Sequence, residues 1–248
     1  MNTTKSFIYS LLLLLCLTTI TSAQFYLKLG AGYGILPING FKFYEKSSLV
    51  GNEFYAYDTT QTPIEKSWGT GFQPAFGIGY VLTKNIAMEL NGSYLSGTTL
   101  EPELTDRTQK FSSSGIYINP ALKLQAPLKN ITPYTRIGLL IGLPEIKQEE
   151  TNNMKTGAYK RTIRGGIAMG IESALGMEIK LSTKLNTYFE LFGTSLNWKP
   201  SEYEITENYT NEATGVIEYT ERLQPYERFS TIGAKVGVSY ILGKAPKK

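Results

Sequence analysis

Apolar residues recur at every second position over residues 163–179, Ile-Arg-Gly-Gly-Ile-Ala-Met-Gly-Ile-Glu-Ser-Ala-Leu-Gly-Met-Glu-Ile. Read as a β-strand, one face carries Ile163, Ile167, Met169, Ile171, Leu175, Met177 and Ile179. The other carries Arg164, Gly166, Ala168, Gly170, Glu172, Ala174, Gly176 and Glu178. A soluble sandwich would turn its apolar face inward and present Thr, Lys and Ser to water. A row of small residues with single charges suits instead the crowded interior of a narrow barrel whose apolar face meets lipid.

Seven more stretches keep the same period. Residues 25–35 point Phe25, Leu27, Leu29, Ala31, Tyr33 and Ile35 outward and Tyr26 and Lys28 inward. Over 68–82 the outward set is Phe72, Phe76, Ile78, Tyr80 and Leu82; over 86–96 it is Ile86, Met88, Leu90 and Tyr94, with Glu89, Asn91 and Ser93 inward. Residues 112–124 set Ile116, Ile118, Leu122 and Leu124 against Tyr117, Asn119 and Lys123, and 132–143 set Ile137, Leu139, Ile141 and Leu143 against Tyr134 and Arg136. The seventh stretch, 185–198, places Phe189 and Leu191 opposite Tyr188, Glu190 and Phe192. The eighth, 229–242, places Ile232, Ala234, Val236, Val238, Tyr240 and Leu242 opposite Lys235. Pro74 and Pro120 each remove a ladder donor, which predicts a bulge or local distortion at each. The pattern as a whole predicts an all-β, eight-stranded antiparallel transmembrane up-and-down β-barrel. An even strand count leaves both termini on one side.

Connections alternate in length. Those after the second, fourth and sixth stretches are short, with tight turns at Thr83-Lys84-Asn85 and Ser182-Thr183-Lys184, whereas the others run to roughly fifteen to thirty residues. Short turns at one rim and long loops at the other are the asymmetry of an outer-membrane barrel. Two aromatic girdles are expected at the membrane interfaces: Phe25, Tyr80, Tyr134, Tyr188 and Tyr240 on the turn side, and Trp68, Phe72, Trp198 and Phe229 on the loop side.

The N-terminus predicts export. Lys5 precedes an apolar run from Phe7 to Ile20, and Thr21-Ser22-Ala23 offers small residues for cleavage, so 1–23 reads as a signal peptide and 24–248 as the barrel. Cys16 follows Leu15 inside a run that continues through Leu17 to Ile20, which is not the setting of a lipidated cysteine. The mature chain of 225 residues (248 less 23) then has no cysteine and no histidine, excluding disulfides, thiol chemistry and His-based catalysis. Its net charge of +3 (24 basic, after Lys5, less 21 acidic) is too small and dispersed for nucleic acid. No cofactor or metal set is evident.

The export signal, the eight stretches and the segment Lys235-Val-Gly-Val-Ser-Tyr-Ile-Leu242 together resemble the small outer-membrane barrels of the outer-membrane protein A and X type. In that family the last strand carries an assembly signal: a polar residue, a glycine two later, and hydrophobic or aromatic residues three and five beyond the glycine. Lys235, Gly237, Tyr240 and Leu242 match it. The resemblance implies outer-membrane lipid and the outer-membrane assembly machinery as partners, and a Gram-negative outer membrane as location.

Enzymatic members of such barrels place a histidine at the reacting centre. This chain has none, and no Ser-x-x-Lys or Gly-x-Ser-x-Gly sequence replaces it, so no catalysis is expected. The inward charges Lys28, Lys123, Arg136, Arg164 and Lys235 face Glu89, Glu172, Glu178 and Glu190. Eight strands leave room only for side chains, so these predict a packed lumenal ion network. The alternative is a narrow, porin-like channel for ions or small solutes. A soluble carrier of an apolar ligand would line its cavity with hydrophobic groups instead. In the loops, Tyr44, Tyr55 and Tyr57 (residues 36–67) and Tyr203, Tyr209 and Tyr219 (residues 199–228) are candidate contacts for an extracellular protein or glycan. Residues 203–209 and 216–223 alternate apolar and polar across Thr-Asn-Glu-Ala-Thr-Gly, which predicts a hairpin that extends the seventh and eighth strands. The expected role is that of a monomeric structural or surface-interaction barrel.

Overall fold

Strands form wherever the period of two persists long enough to cover one face with branched and aromatic side chains. The computed structural model describes residues 24–37, 41–43, 46–47, 64–101, 103–104, 107–152, 156–209, 214–218 and 227–242. The export signal (1–23) and Tyr44, Tyr55, Tyr57 and Tyr219 lie outside them. The eight barrel strands are β1 (Gln24–Pro37), β2 (Gly71–Thr83), β3 (Ile86–Gly97), β4 (Arg107–Gln125), β5 (Ile131–Asn152), β6 (Ala168–Lys180), β7 (Leu185–Trp198) and β8 (Thr231–Leu242). Each pairs antiparallel with the next, and β8 pairs with β1, which closes the sheet. Closure leaves no edge within the barrel and satisfies the backbone without water, the condition for crossing a bilayer with strands.

Burial alternates as the sequence requires. Leu175 is 67% exposed and its neighbour Ala174 4%. Leu29, Phe76, Ile137, Ile171 and Val236 line the outside, whereas Tyr26, Lys28, Glu89, Arg136 and Glu190 are buried inside. The lumenal glycines have a common reason. A Cβ at Gly79 would collide with the ring of Tyr26, at Gly142 with Tyr117, at Gly176 with Tyr134, and at Gly30 with Tyr188. The rings of Tyr26, Tyr117 and Tyr134 each fill the space beside a glycine of the adjacent strand, and Tyr188 reaches past β8 to Gly30 on β1, so the small residues make room for aromatic ones.

The turn-side connections are built by side chains. Thr83 Oγ1 accepts the N–H groups of Asn85 and Ile86 at 3.2 and 3.1 Å, and Ser182 Oγ accepts those of Lys184 and Leu185 at 3.3 and 3.1 Å. Phe25 and Tyr80 face each other across β1 and β2 at this rim, with ring centroids 4.8 Å apart.

Of the bulge or local distortion expected at Pro74 and Pro120, the structure has the distortion alone: bridges are missing between Phe72↔Ser96 and Ala75↔Ser93 in the β2–β3 pairing and between Ile118↔Ile141 and Ala121↔Gly138 in the β4–β5 pairing, in constant register. Asn119 Nδ2 donates to the Leu139 carbonyl at 3.1 Å, beside the donor that Pro120 lacks. Register shifts occur instead at Gly34/Leu36 and Val81/Thr83. The stretch 163–179 is not the one strand expected. Gly165 and Gly166 adopt φ of 77° and 73°, a left-handed pair that ends a separate strand at Arg164 before β6 begins at Ala168. The alternation therefore restarts, and Ile163 turns inward rather than toward lipid.

Two substitutions test this architecture. Ile171→Arg, on the lipid face, should cost about 2–4 kcal/mol of barrel stability. Gly176→Val should lower the thermal midpoint by displacing Tyr134. Both are read from the temperature at which the heat-modifiable band converts on a gel; an unchanged midpoint in Ile171→Arg would mean that β6 faces the other way.

Candidate functional site

The inward faces of β1, β3, β4, β5, β6, β7 and β8 bring four cations and four carboxylates into one buried cluster. Arg136 lies at its centre, donating through Nη2 to Glu172 Oε1 and Glu190 Oε1, both at 2.6 Å, and through Nη1 to Asn119 Oδ1 at 2.7 Å. Lys28 stands 3.3 Å from Glu89, Lys123 2.6 Å from Glu178, and Lys235 3.3 Å from Glu172. Tyr26 and Tyr134 donate their hydroxyls to Glu89 at 2.6 Å and Glu190 at 3.0 Å. The ammonium groups also sit over rings: Lys28 over Tyr188 at 4.6 Å, Lys123 over Tyr134 at 4.4 Å and Lys235 over Phe192 at 4.4 Å. Every charge in this layer has an opposite partner, the arrangement that offsets the cost of removing ions from water.

Of the candidate lumenal residues, Lys28, Glu89, Lys123, Arg136, Glu172, Glu190 and Lys235 meet in this cluster, together with Glu178. Arg164 does not. It belongs to the separate strand Ala158–Arg164, above the Gly165-Gly166 break, where it pairs with Glu202 and Glu204 at 3.1 Å each. The two consecutive glycines carry the only warning of this in the sequence.

Above the charged layer the lumen is closed by an apolar plug, which sequence reasoning missed. Trp68, Leu95, Leu140, Leu196, Trp198 and Phe229 pack there, with Trp198 fully buried and its ring edge-on to Phe229 at 5.8 Å. The indole of Trp198 donates to Gly165 O at 2.8 Å and that of Trp68 to Glu227 Oε2 at 2.8 Å. Trp68, Trp198 and Phe229 therefore form no lipid-facing girdle, and Tyr134 and Tyr188 are lumenal as well. Phe72 on the loop side and Phe25 and Tyr240 on the turn side do face outward. Strand parity held the signal: Trp198 shares its face with Tyr188, Glu190 and Phe192. Two small cavities, at and within the charge layer, measure about 10 and 20 Å³, room for roughly one water each.

On the loop side β4 and β5 run on beyond the apolar belt. Residues 146–151 of β5 pair with Ala158–Arg164, which pairs with Glu202–Glu207, which pairs in turn with Gly215–Glu218. The expected hairpin is seen in part, as Glu202–Ile205 paired with Gly215–Glu218, while 219–223 lie outside the described residues; its first arm adds to the sheet on the strand Ala158–Arg164, so among the described residues it widens the wall beside β5. On its inner face Tyr159 stacks with Tyr209 at 6.4 Å, Arg161 lies over Tyr203 at 5.8 Å, and Arg161 donates to Gln148 Oε1 at 2.6 Å. Tyr209 also donates to Glu150 at 3.2 Å. Of the candidate loop contacts, Tyr203 and Tyr209 are thus half-buried or buried within the wall. The assembly-signal residues Lys235, Gly237, Tyr240 and Leu242 all lie on β8: Lys235 inside the charge cluster, Gly237 beside the Tyr188 ring, and Tyr240 and Leu242 on the outer face. Among the described residues, no group of three or more His, Cys, Asp or Glu side chains is placed to hold a metal.

No family model matches the chain, and no curated protein matches it. Among solved structures it is similar to a major outer membrane protein from Thermus thermophilus, at 10% identity and a TM-score of 0.52, over 89% of this chain and 100% of that one. It also aligns with CarO2 of Acinetobacter baumannii at 9% identity and a TM-score of 0.38, over 88% and 99%. The first likeness is one of fold, and it places the architecture among outer-membrane β-barrels.

Two outcomes are expected. Arg136→Met leaves Glu172 and Glu190 short of their shared partner and should destabilise the barrel by about 3–5 kcal/mol in a denaturant titration. Outside the membrane, burial raises the Glu227 carboxyl above its ordinary range, against the lowering effects of the Trp68 hydrogen bond and Arg161. A raised folded value means that the folded state holds this proton more tightly, so its contribution to stability is present at low pH and is lost as pH rises through the folded value. Glu227→Gln should therefore remove one acid-range step from the tryptophan emission titration; an identical titration in wild type and variant would refute this role.

Proposed function

We propose that the protein is a non-enzymatic barrel of a Gram-negative outer membrane, of the small outer-membrane protein A and X type. Its role is structural or surface-interactive, carried by the wall and loops beyond the membrane. The observation that carries this reading is the division of the lumen, among the described residues, into a fully paired charge layer and an apolar plug, with two small cavities of about 10 and 20 Å³ at and within the charge layer. A conducting path needs continuous water along charged or polar walls. The aromatic and polar inner face of the wall, with half-buried Tyr159, Tyr203, Arg161 and Glu150 braced by buried Tyr209, supports binding of a protein or glycan ligand through rigid rings and hydrogen-bonding groups. The absence of histidine from the whole sequence removes the residue that the enzymatic barrels place at the reacting centre.

Planar-bilayer recording tests the closed lumen. The purified barrel should give little current, and Glu190→Gln should lower stability rather than switch ion preference. Large, steady wild-type currents with charge-dependent selectivity would establish a narrow channel instead. Location is tested by fractionation: the protein should partition with the outer membrane and need detergent for extraction.

A further inference from the structure

Charge is distributed unequally between the two rims. The turn-side connections at residues 83–86, 125–131 and 180–186 hold Lys84, Lys129, Lys180 and Lys184 and no Asp or Glu. All four side chains are exposed. None is ion-paired among the described residues. The nearest acidic position, Glu178, is held by Lys123 at 2.6 Å. Of the described acidic residues, four (Glu89, Glu172, Glu178 and Glu190) are lumenal, and the other eleven, Glu101, Glu150 and Glu227 among them, lie on loop-side segments.

The lysines also border a recess. Two adjoining hollows of about 320 and 420 Å³ open at this rim and share Gln24, Thr132, Glu178, Asn186 and Ile241. Lys84 lines the first, and Lys129 and Lys180 line the second. Pro127 and Leu128 make part of the wall apolar. Leu128 and Leu181, next in sequence to Lys129 and Lys180, are 66% and 59% exposed, so the ammonium groups stand where the apolar belt ends. That is the depth of lipid headgroups, where a lysine keeps its stem on apolar surface and its charge in the polar layer. An exposed ammonium in water contributes little. Beside an anionic leaflet each contributes about 1 kcal/mol, a roughly fivefold effect.

We propose that the turn-side rim is a binding surface for the phosphate of anionic phospholipid headgroups in the adjoining leaflet. Lys84, Lys129 and Lys180 are the phosphate contacts, and the apolar wall of the recess takes the start of the acyl chains. The proposal rests on the barrel reading but not on what the loops do. Free phosphate would use the lysines without the apolar wall.

The test is native mass spectrometry of the purified protein in a neutral detergent, with equimolar phosphatidylglycerol and phosphatidylcholine. Phosphatidylglycerol should be retained preferentially. Replacing Lys84, Lys129 and Lys180 by Gln should reduce that preference by about fivefold per lysine, whereas Lys110→Gln on the loop side should leave it unchanged. Soluble glycerol phosphate in excess should not displace the lipid. Displacement would assign the recess to a free anion and overturn the lipid assignment, as would equal retention of both lipids or an unchanged preference in the triple variant. Heat-modifiable migration of each variant verifies folding, with Lys129→Gln alone as the milder substitution. Loss of that migration in the wild type would instead count against the barrel itself.

Discussion

An eight-stranded closed sheet encloses a space no wider than the side chains that fill it, and most of this structure answers to that constraint. The ladder must close because lipid offers no partner for an open edge. Closing at eight strands forces every inward side chain into contact with several others. Glycines therefore alternate with tyrosines: the rings of Tyr26, Tyr117, Tyr134 and Tyr188 each occupy the space that a Cβ on the neighbouring strand would need. Inward charges must then find counter-charges at once, and Arg136 bridges Glu172 and Glu190 while Lys28, Lys123 and Lys235 neutralise the remainder.

The same narrowness divides the molecule along its axis. At mid-height the interior is ionic and aromatic; toward the loops it becomes an apolar core built on Trp68, Trp198 and Phe229; toward the turns it widens into a recess rimmed by lysines. The plug is tied to the loop side by indole hydrogen bonds to Gly165 and Glu227, so the closure of the lumen and the geometry of the outer wall depend on each other. Beyond the membrane the long β4 and β5 strands carry the added strands 158–164, 202–207 and 215–218 as a continuous sheet, which holds aromatic side chains on a stiff support.

The period of two by itself determined the strand number, the antiparallel order, the outward row of the regular strands apart from Ile163, and the membership of the charge cluster apart from Arg164. These follow from one repeating geometric rule that survives any local detail. The turns were legible too, because Thr83 and Ser182 cap them through their own hydroxyls. Where that rule is interrupted, only the tertiary structure decided the outcome. At Gly165-Gly166 the backbone turns left-handed, the alternation restarts, and Arg164 and Ile163 exchange the environments that the pattern had assigned them. Aromatic residues at strand ends suit a lipid interface and a packed core equally well, so Trp68 and Trp198 could be placed only by seeing which ring faces which wall. Proline acted locally: the ladder lost bridges at Pro74 and Pro120, but neighbours on both sides held the register. Whether charges of opposite sign neutralise one another is likewise a matter of distances across the barrel, and strand alternation sets only the face from which each charge starts.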